Sequence, residues 1–225
     1  MSTSPLQPSV WNLPAGRHGL ARELVSGSQR QRLLYAVTVA TAELGYAATT
    51  VADVVERAGV SRKTFYAHFT DKLDCFLAAQ EVGRDAMMAA TNAALEQSHE
   101  DAVDQLRAVI RAYLTFVASE PAFARAYFIE VVAAGPVAQE RRMECRQRLV
   151  DLLEVWHASL AGRHPEYRPI PATARAAAMG AADTLLCDYL REHSAEGLRA
   201  MEPDISYSVL ALLGMPGAAA TASRE

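Results

Sequence analysis

Apolar positions along this chain recur at helical rather than strand spacing. From Gln29 to Leu44, residues Leu33, Leu34, Val37, Ala40, Ala42 and Leu44 follow a helical repeat, and Gly45 stands where a C-cap glycine ends a helix. That pattern predicts a first helix starting near Ser28. Thr50 and Asp53 then stand at capping-box spacing, with Asp in place of Glu, ahead of a stripe of Val51, Val54, Val55 and Ala58. A short second helix follows from it. Gly59 allows the positive φ of a tight turn, Val60 fills that turn, and Ser61 offers a hydroxyl to cap a third helix.

Beyond Thr70 the helical periods lengthen to roughly six further helices, divided by Pro121, Gly135-Pro136, Gly162 with Pro165, Pro169 and Pro171, and Pro203. Alanine is plentiful and alternating runs of β-branched residues are few, so the expected fold is all-α, with about nine helices. The expected organisation is a flexible basic arm over 1–27 and a helix-turn-helix over 28–75. A larger helical domain over 76–213 and a disordered Ala, Gly and Ser-rich tail over 214–225 complete it. Arg17, His18 and Arg22 lie in the arm.

No apolar run reaches the roughly 18 residues that span a bilayer, and the first residues lack a signal peptide's apolar centre. A soluble cytoplasmic protein with no membrane partner is expected. Cys75, Cys145 and Cys187 are odd in number and widely spaced, which suggests neither a disulfide framework nor a zinc site. His99, His157, His164 and His193 lack ligand spacing, and the G-x-S-x-G, P-loop, G-x-G-x-x-G and H-E-x-x-H patterns are missing. Neither a metal, a cofactor nor a catalytic residue is expected.

A net charge of −4 argues against nucleic acid until its distribution is read. Residues 1–72 hold eight basic and five acidic side chains, net +3, and the remainder is net −7; the chain's two lysines, Lys63 and Lys72, both fall in the basic part. In the third helix Phe65 and Phe69 are four apart and share a buried face. Arg62, Lys63, Thr64 and Tyr66, with His68 at the flank, are left on the first turn and the opposite side. A recognition helix reads base edges with its first residues while its flanks hold phosphates.

The stretch TTVADVVERAGVSRKTFYAHFTDKL, from Thr49 to Leu73, resembles the signature of the TetR family of transcriptional regulators. The family pattern T-x-x-x-[IV]-A-x-x-A-G-V-S-x-x-x-[FL]-Y-x-[HY]-F is matched at nearly every fixed position, Val55 replacing its usual small alanine. The resemblance implies that Arg62, Lys63 and Thr64 face base edges. It also implies that Tyr66, His68 and Lys72 grip phosphates, and Thr50 stands at a helix start, where free amides favour an anion. It further implies a ligand-responsive repressor: a homodimer bound to a palindromic double-stranded operator and released by a small apolar or amphipathic ligand. An activator is the alternative, and a helical enzyme a remote one.

In the larger domain, Met88, Tyr113, Phe116, Tyr127, Trp156 and Asp183 are the candidates for ligand contact, the aromatics supplying apolar surface and Asp183 orienting a polar group. Small residues around Ala177 and Ala181, with Leu185, suit close helix contact between subunits. Ile205, Val209 and Leu212 form a second apolar stripe, and two helices from each subunit would make a four-helix bundle.

Overall fold

A computed structural model describes residues 19–97, 101–163, 170–215 and 218–220. The described residues form nine α-helices joined by short 3₁₀ and π segments, without a strand, in agreement with the all-α expectation. They divide into two compact units.

The first unit holds α1 (Gly19–Leu44), α2 (Val51–Ala58), α3 (Arg62–His68) and the first part of α4 (Lys72–Leu95), together with residues 122–138. Helix α1 begins nine residues before the expected start, because Leu20, Ala21, Arg22, Glu23 and Leu24 are good helix formers and Gly27-Ser28 is tolerated inside the helix. Arg17 and His18 lie outside the described residues, as does the side chain of Arg22. Leu33, Leu34, Val37, Val54, Phe65, Phe69 and Phe76 make one core, joined by Ala126, Val131, Ala134 and Ala138 from the later segment. Helix α4 continues unbroken through the boundary expected at 75/76, since Cys75, Phe76, Leu77 and Ala79 are buried in this unit.

Residues 121–132 run through three helical pitches. Helix α6 (Pro121–Ala124) passes into a π turn over Arg125–Ile129 and a 3₁₀ turn over Glu130–Val132. The ring of Phe123 lies directly on Gly83, where an added Cβ would meet it at 2.2 Å. Only glycine permits that approach.

The second unit holds the rest of α4, α5 (Ala102–Ser119), most of α7 (Pro136–Arg163), α8 (Ala172–Glu192) and α9 (Glu202–Leu212), with a 3₁₀ turn over Ala195–Met201 before α9. Helix α9 packs on both α5 and α8. A buried ion pair ties α5 to α9: Arg107 Nε donates to Glu202 Oε1 at 3.0 Å, and Ser206 Oγ donates to the same oxygen at 2.9 Å. Ile205 and Val209, expected on a partner-facing stripe, are each 3% exposed and belong to this core. The α5 and α8 contacts consume that side of α9, while Leu212 and Tyr207 remain exposed. The expected disordered tail is corrected at its start: Met215 and Ala219 are buried, and Met215 N–H donates to Leu210 O at 3.0 Å. Residues 216–217 and 221–225 of that tail lie outside the described residues.

Candidate nucleic-acid interface

Local capping fixes the reading head before any tertiary contact. Thr50 is the N-cap of α2, its Oγ1 accepting from Asp53 N–H at 3.3 Å while Asp53 Oδ2 accepts from Thr50 N–H at 2.8 Å and from the Thr50 hydroxyl at 2.6 Å. These hydrogen bonds hold the Asp53 carboxyl below the usual carboxylate range, the Thr50 side chain contributing most. Gly59 adopts φ 62°, ψ 40°, ending α2 in the left-handed conformation. Ser61 Oγ then accepts from Thr64 N–H at 3.0 Å and lies 2.9 Å from the Thr64 hydroxyl, so that hydroxyl is engaged and the threonine methyl is the group left over. Helix, glycine turn and helix follow the sequence expectation residue by residue.

Two opposite faces of α3 result. Phe65 is fully buried and Phe69 is 4% exposed, their centroids 5.8 Å apart. Tyr66, 59% exposed, packs edge-on against Phe65 with ring centroids 5.3 Å apart. Arg62 and Lys63 are exposed and have no ion-pair partner among the described residues. Their charge is therefore not neutralised within the fold. His68 is half-buried beside the Phe69 ring.

Lys72 does more than the sequence suggested. Its Nζ donates to Tyr46 O at 2.6 Å and Thr49 O at 2.7 Å and lies 4.1 Å from the centre of the Tyr46 ring, so it pins the turn that leads into α2. Partial burial lowers its pKa. Three contacts of this unit have no counterpart among the sequence expectations. Glu130 Oε2 accepts from Tyr46 N–H at 2.9 Å, Arg57 pairs with Glu43 at 2.7 Å, and Arg30 lies 5.4 Å over the Phe69 ring. Nothing local announces Glu130, which is 84 residues from its partner.

The ligand candidates do not gather in one place. Tyr127 belongs to the first unit, buried and stacked on Phe123 at 5.1 Å, and the other five belong to the second. Trp156 is buried and donates from Nε1 to Ala102 O at 3.2 Å, whereas Met88, Tyr113 and Phe116 are half-buried. Asp183 accepts from Arg142 Nη2 at 2.6 Å. Of the candidates for subunit contact, Ala177 and Leu212 are exposed, and Ala181 and Leu185 half-buried.

Residues 39–79 match the model of the bacterial regulatory proteins of the tetR family. That span covers α2, α3 and the buried Phe65–Phe69 pair. Over those residues the chain carries a tetR-family helix-turn-helix module. Over 104 residues it is 30% identical to the HTH-type transcriptional activator FasR of Mycolicibacterium smegmatis, a stretch that covers 46% of this chain and 47% of the relative. The match thus spans about half the length of that curated relative. The fatty acid degradation regulator FadR from Bacillus halodurans superposes with a TM-score of 0.69 at 18% identity, covering 83% of this chain and 95% of the other. A FadR from Bacillus subtilis, solved in complex with stearoyl-CoA, gives 0.64 at 17% identity, with coverages of 82% and 97%. At those identities the likeness is one of fold. Relatives and fold are those of TetR transcriptional regulators rather than enzymes, and among the described residues no helix is long and apolar enough to cross a membrane.

Proposed function

We propose that this chain is a cytoplasmic, dimeric repressor of the TetR type that holds a palindromic operator through α3 and is released by a ligand carrying an acyl chain. The observation that carries the DNA reading is the division of α3: Phe65 and Phe69 anchor it from behind, and Arg62, Lys63 and Tyr66 stand free in front. Arg62 and Lys63 are suited to base edges, Arg by bidentate pairing with guanine, and the Thr64 methyl to thymine; Thr50, Tyr66, His68 and Lys72 are suited to phosphate. One short helix covers few base pairs, so two-fold related copies would dock half-sites about 34 Å apart.

The acyl reading is supported by the relatives' names, a fatty acid degradation regulator and a regulator bound to stearoyl-CoA. Subunit contact is assigned to the exposed Ala177 and Leu212 with Ala181 and Leu185, where small side chains let helices approach closely. A second reading, activation, is favoured by one observation: the relative matched over 104 residues is an activator. Both readings share the same interface and differ in where the operator sits relative to the promoter.

The test is selection of binding sites from genomic fragments, followed by footprinting with and without stearoyl-CoA. A protected inverted repeat whose affinity falls about 5 to 150-fold with ligand is expected. Protection without sequence preference would overturn the DNA reading; an operator indifferent to acyl ligands would overturn the ligand reading.

A further inference from the structure

The faces of α3 follow from its pitch. At about 100° per residue, Ala67, two residues from both Phe65 and Phe69, stands about 160° from each of those buried rings. Ala67 therefore occupies the middle of the outward face, and it is exposed. Lys63, one turn earlier, lies about 40° to one side of it and Thr64 about 60° to the other. Packing does not explain Ala67, which is absent from the buried core of this unit. Arg62, Lys63 and Tyr66 bring donors to this face, yet the group at its centre is a bare methyl. Thr64 adds a second one. Its N–H donates to Ser61 Oγ at 3.0 Å and its hydroxyl lies 2.9 Å from the same oxygen, so the hydroxyl is engaged at the cap and the methyl is not. Residues three apart on a helix are neighbours, so the Thr64 and Ala67 side chains adjoin.

We propose that Ala67 is a specificity-determining residue of the DNA interface, and that it meets the 5-methyl group of a thymine in each half-site, with the Thr64 methyl beside it. The proposal rests on the DNA reading above and adds the base met by the centre of α3. Its selectivity is that of a group with no hydrogen bond to give. In the major groove every base edge presents donors or acceptors, and thymine alone adds a methyl. A donor or acceptor pressed against Ala67 would lose its water without gaining a partner, which disfavours the other bases there. Thymine instead exchanges wet methyl surface for apolar contact. A single carbon is also too short to hold Arg62 and Lys63 away from the base edges beside it. Alanine is the best helix former as well, and a residue that served α3 in that way alone would be indifferent to the thymine methyl.

The experiment takes the double-stranded site recovered by genomic selection and replaces its thymines by deoxyuridine, one symmetric pair at a time. That change removes the 5-methyl and leaves base pairing untouched. Fluorescence anisotropy with the full chain gives the affinity ratio of each thymine site to its deoxyuridine counterpart. Burying one methyl is worth about fourfold, so a symmetric pair of replacements should weaken wild type by about 4 to 16-fold at one position. Ala67→Gly should bring that ratio close to one. Because the ratio is taken within one protein, any loss of folding or of overall affinity cancels from it. Ala67→Ser, which sets a hydroxyl against the methyl and costs α3 less than glycine, should lower the ratio too. Arg62→Ala should lower affinity and leave the ratio as it was. Wild type with no methyl-sensitive thymine, or a sensitivity that neither variant at position 67 lowers, would overturn this assignment while site-specific binding stands. Failure to recover any preferred site would overturn the DNA reading and this assignment together.

Discussion

The ammonium of Lys72 lies 2.6 Å from the carbonyl oxygen of Tyr46 and 4.1 Å from the centre of the same residue's ring. With Thr49 O also bonded, two of its three N–H groups hold the turn between α1 and α2, which leaves the third for the phosphate contact proposed above. Lys72→Met should therefore lower the stability of the reading head by about 1 to 2 kcal/mol. It should also weaken DNA binding alike on all sequences and reduce the salt slope by about 1. Thermal melts and salt titrations check the two effects separately. A lysine that served phosphate alone would leave the melting temperature where it was.

Phe65 and Tyr66 are neighbours with opposite duties. Phe65→Ala should cost about 3 to 5 kcal/mol, because the ring is fully buried in the core of the first unit. Tyr66→Ala should stay within about 0.5 kcal/mol of wild type in denaturant unfolding, since the side chain is mostly in water. Its effect should appear in DNA affinity instead.

Acid sensitivity should be traceable to Asp53. Its folded pKa is depressed below 3.8, first by the Thr50 hydroxyl and then by the Thr50 backbone N–H. A carboxylate of this kind contributes stability that is present above its unfolded value and lost as pH falls through the folded one. Asp53→Asn should thus melt earlier than wild type near neutral pH, and the two curves should converge as pH falls through the lowered pKa of Asp53. A constant gap across pH would contradict the capping assignment.

Gly83→Ala would place a methyl carbon 2.2 Å from the Phe123 ring. Overpacking of that kind costs about 1 to 3 kcal/mol. Phe123→Leu in the same background should recover part of the loss, and a double-mutant cycle should give a coupling of at least about 0.5 kcal/mol.

The head was legible in the sequence because its instructions are local. Thr50 with Asp53, Gly59, Ser61 with Thr64, and Phe65 with Phe69 each act within four residues, so spacing alone conveys the geometry. The rest depends on partners far along the chain. Helical periodicity in α9 tells which residues are apolar but not which side the subunit buries: α5 and α8 cover Ile205 and Val209, while Leu212 and Tyr207 stay exposed. Asp183 was singled out for its apolar neighbours, yet Arg142, which gives it meaning, lies 41 residues away. Glu130 reaches Tyr46 from a stretch whose changes of helical pitch no sequence pattern marked. The first helix runs longer than expected because residues 19–28 have helix-forming composition without a sustained apolar period to announce it.

The outward face of α3 is tested most directly by titrating a selected operator with wild type, Arg62→Ala and Tyr66→Ala, each at two salt concentrations, by fluorescence anisotropy. Arg62→Ala should lose about 1 to 3 kcal/mol at the selected site and discriminate less among base substitutions. Tyr66→Ala should bind all sites more weakly with its preferences intact. Binding and preference unchanged in both variants would mean that this face of α3 does not meet DNA.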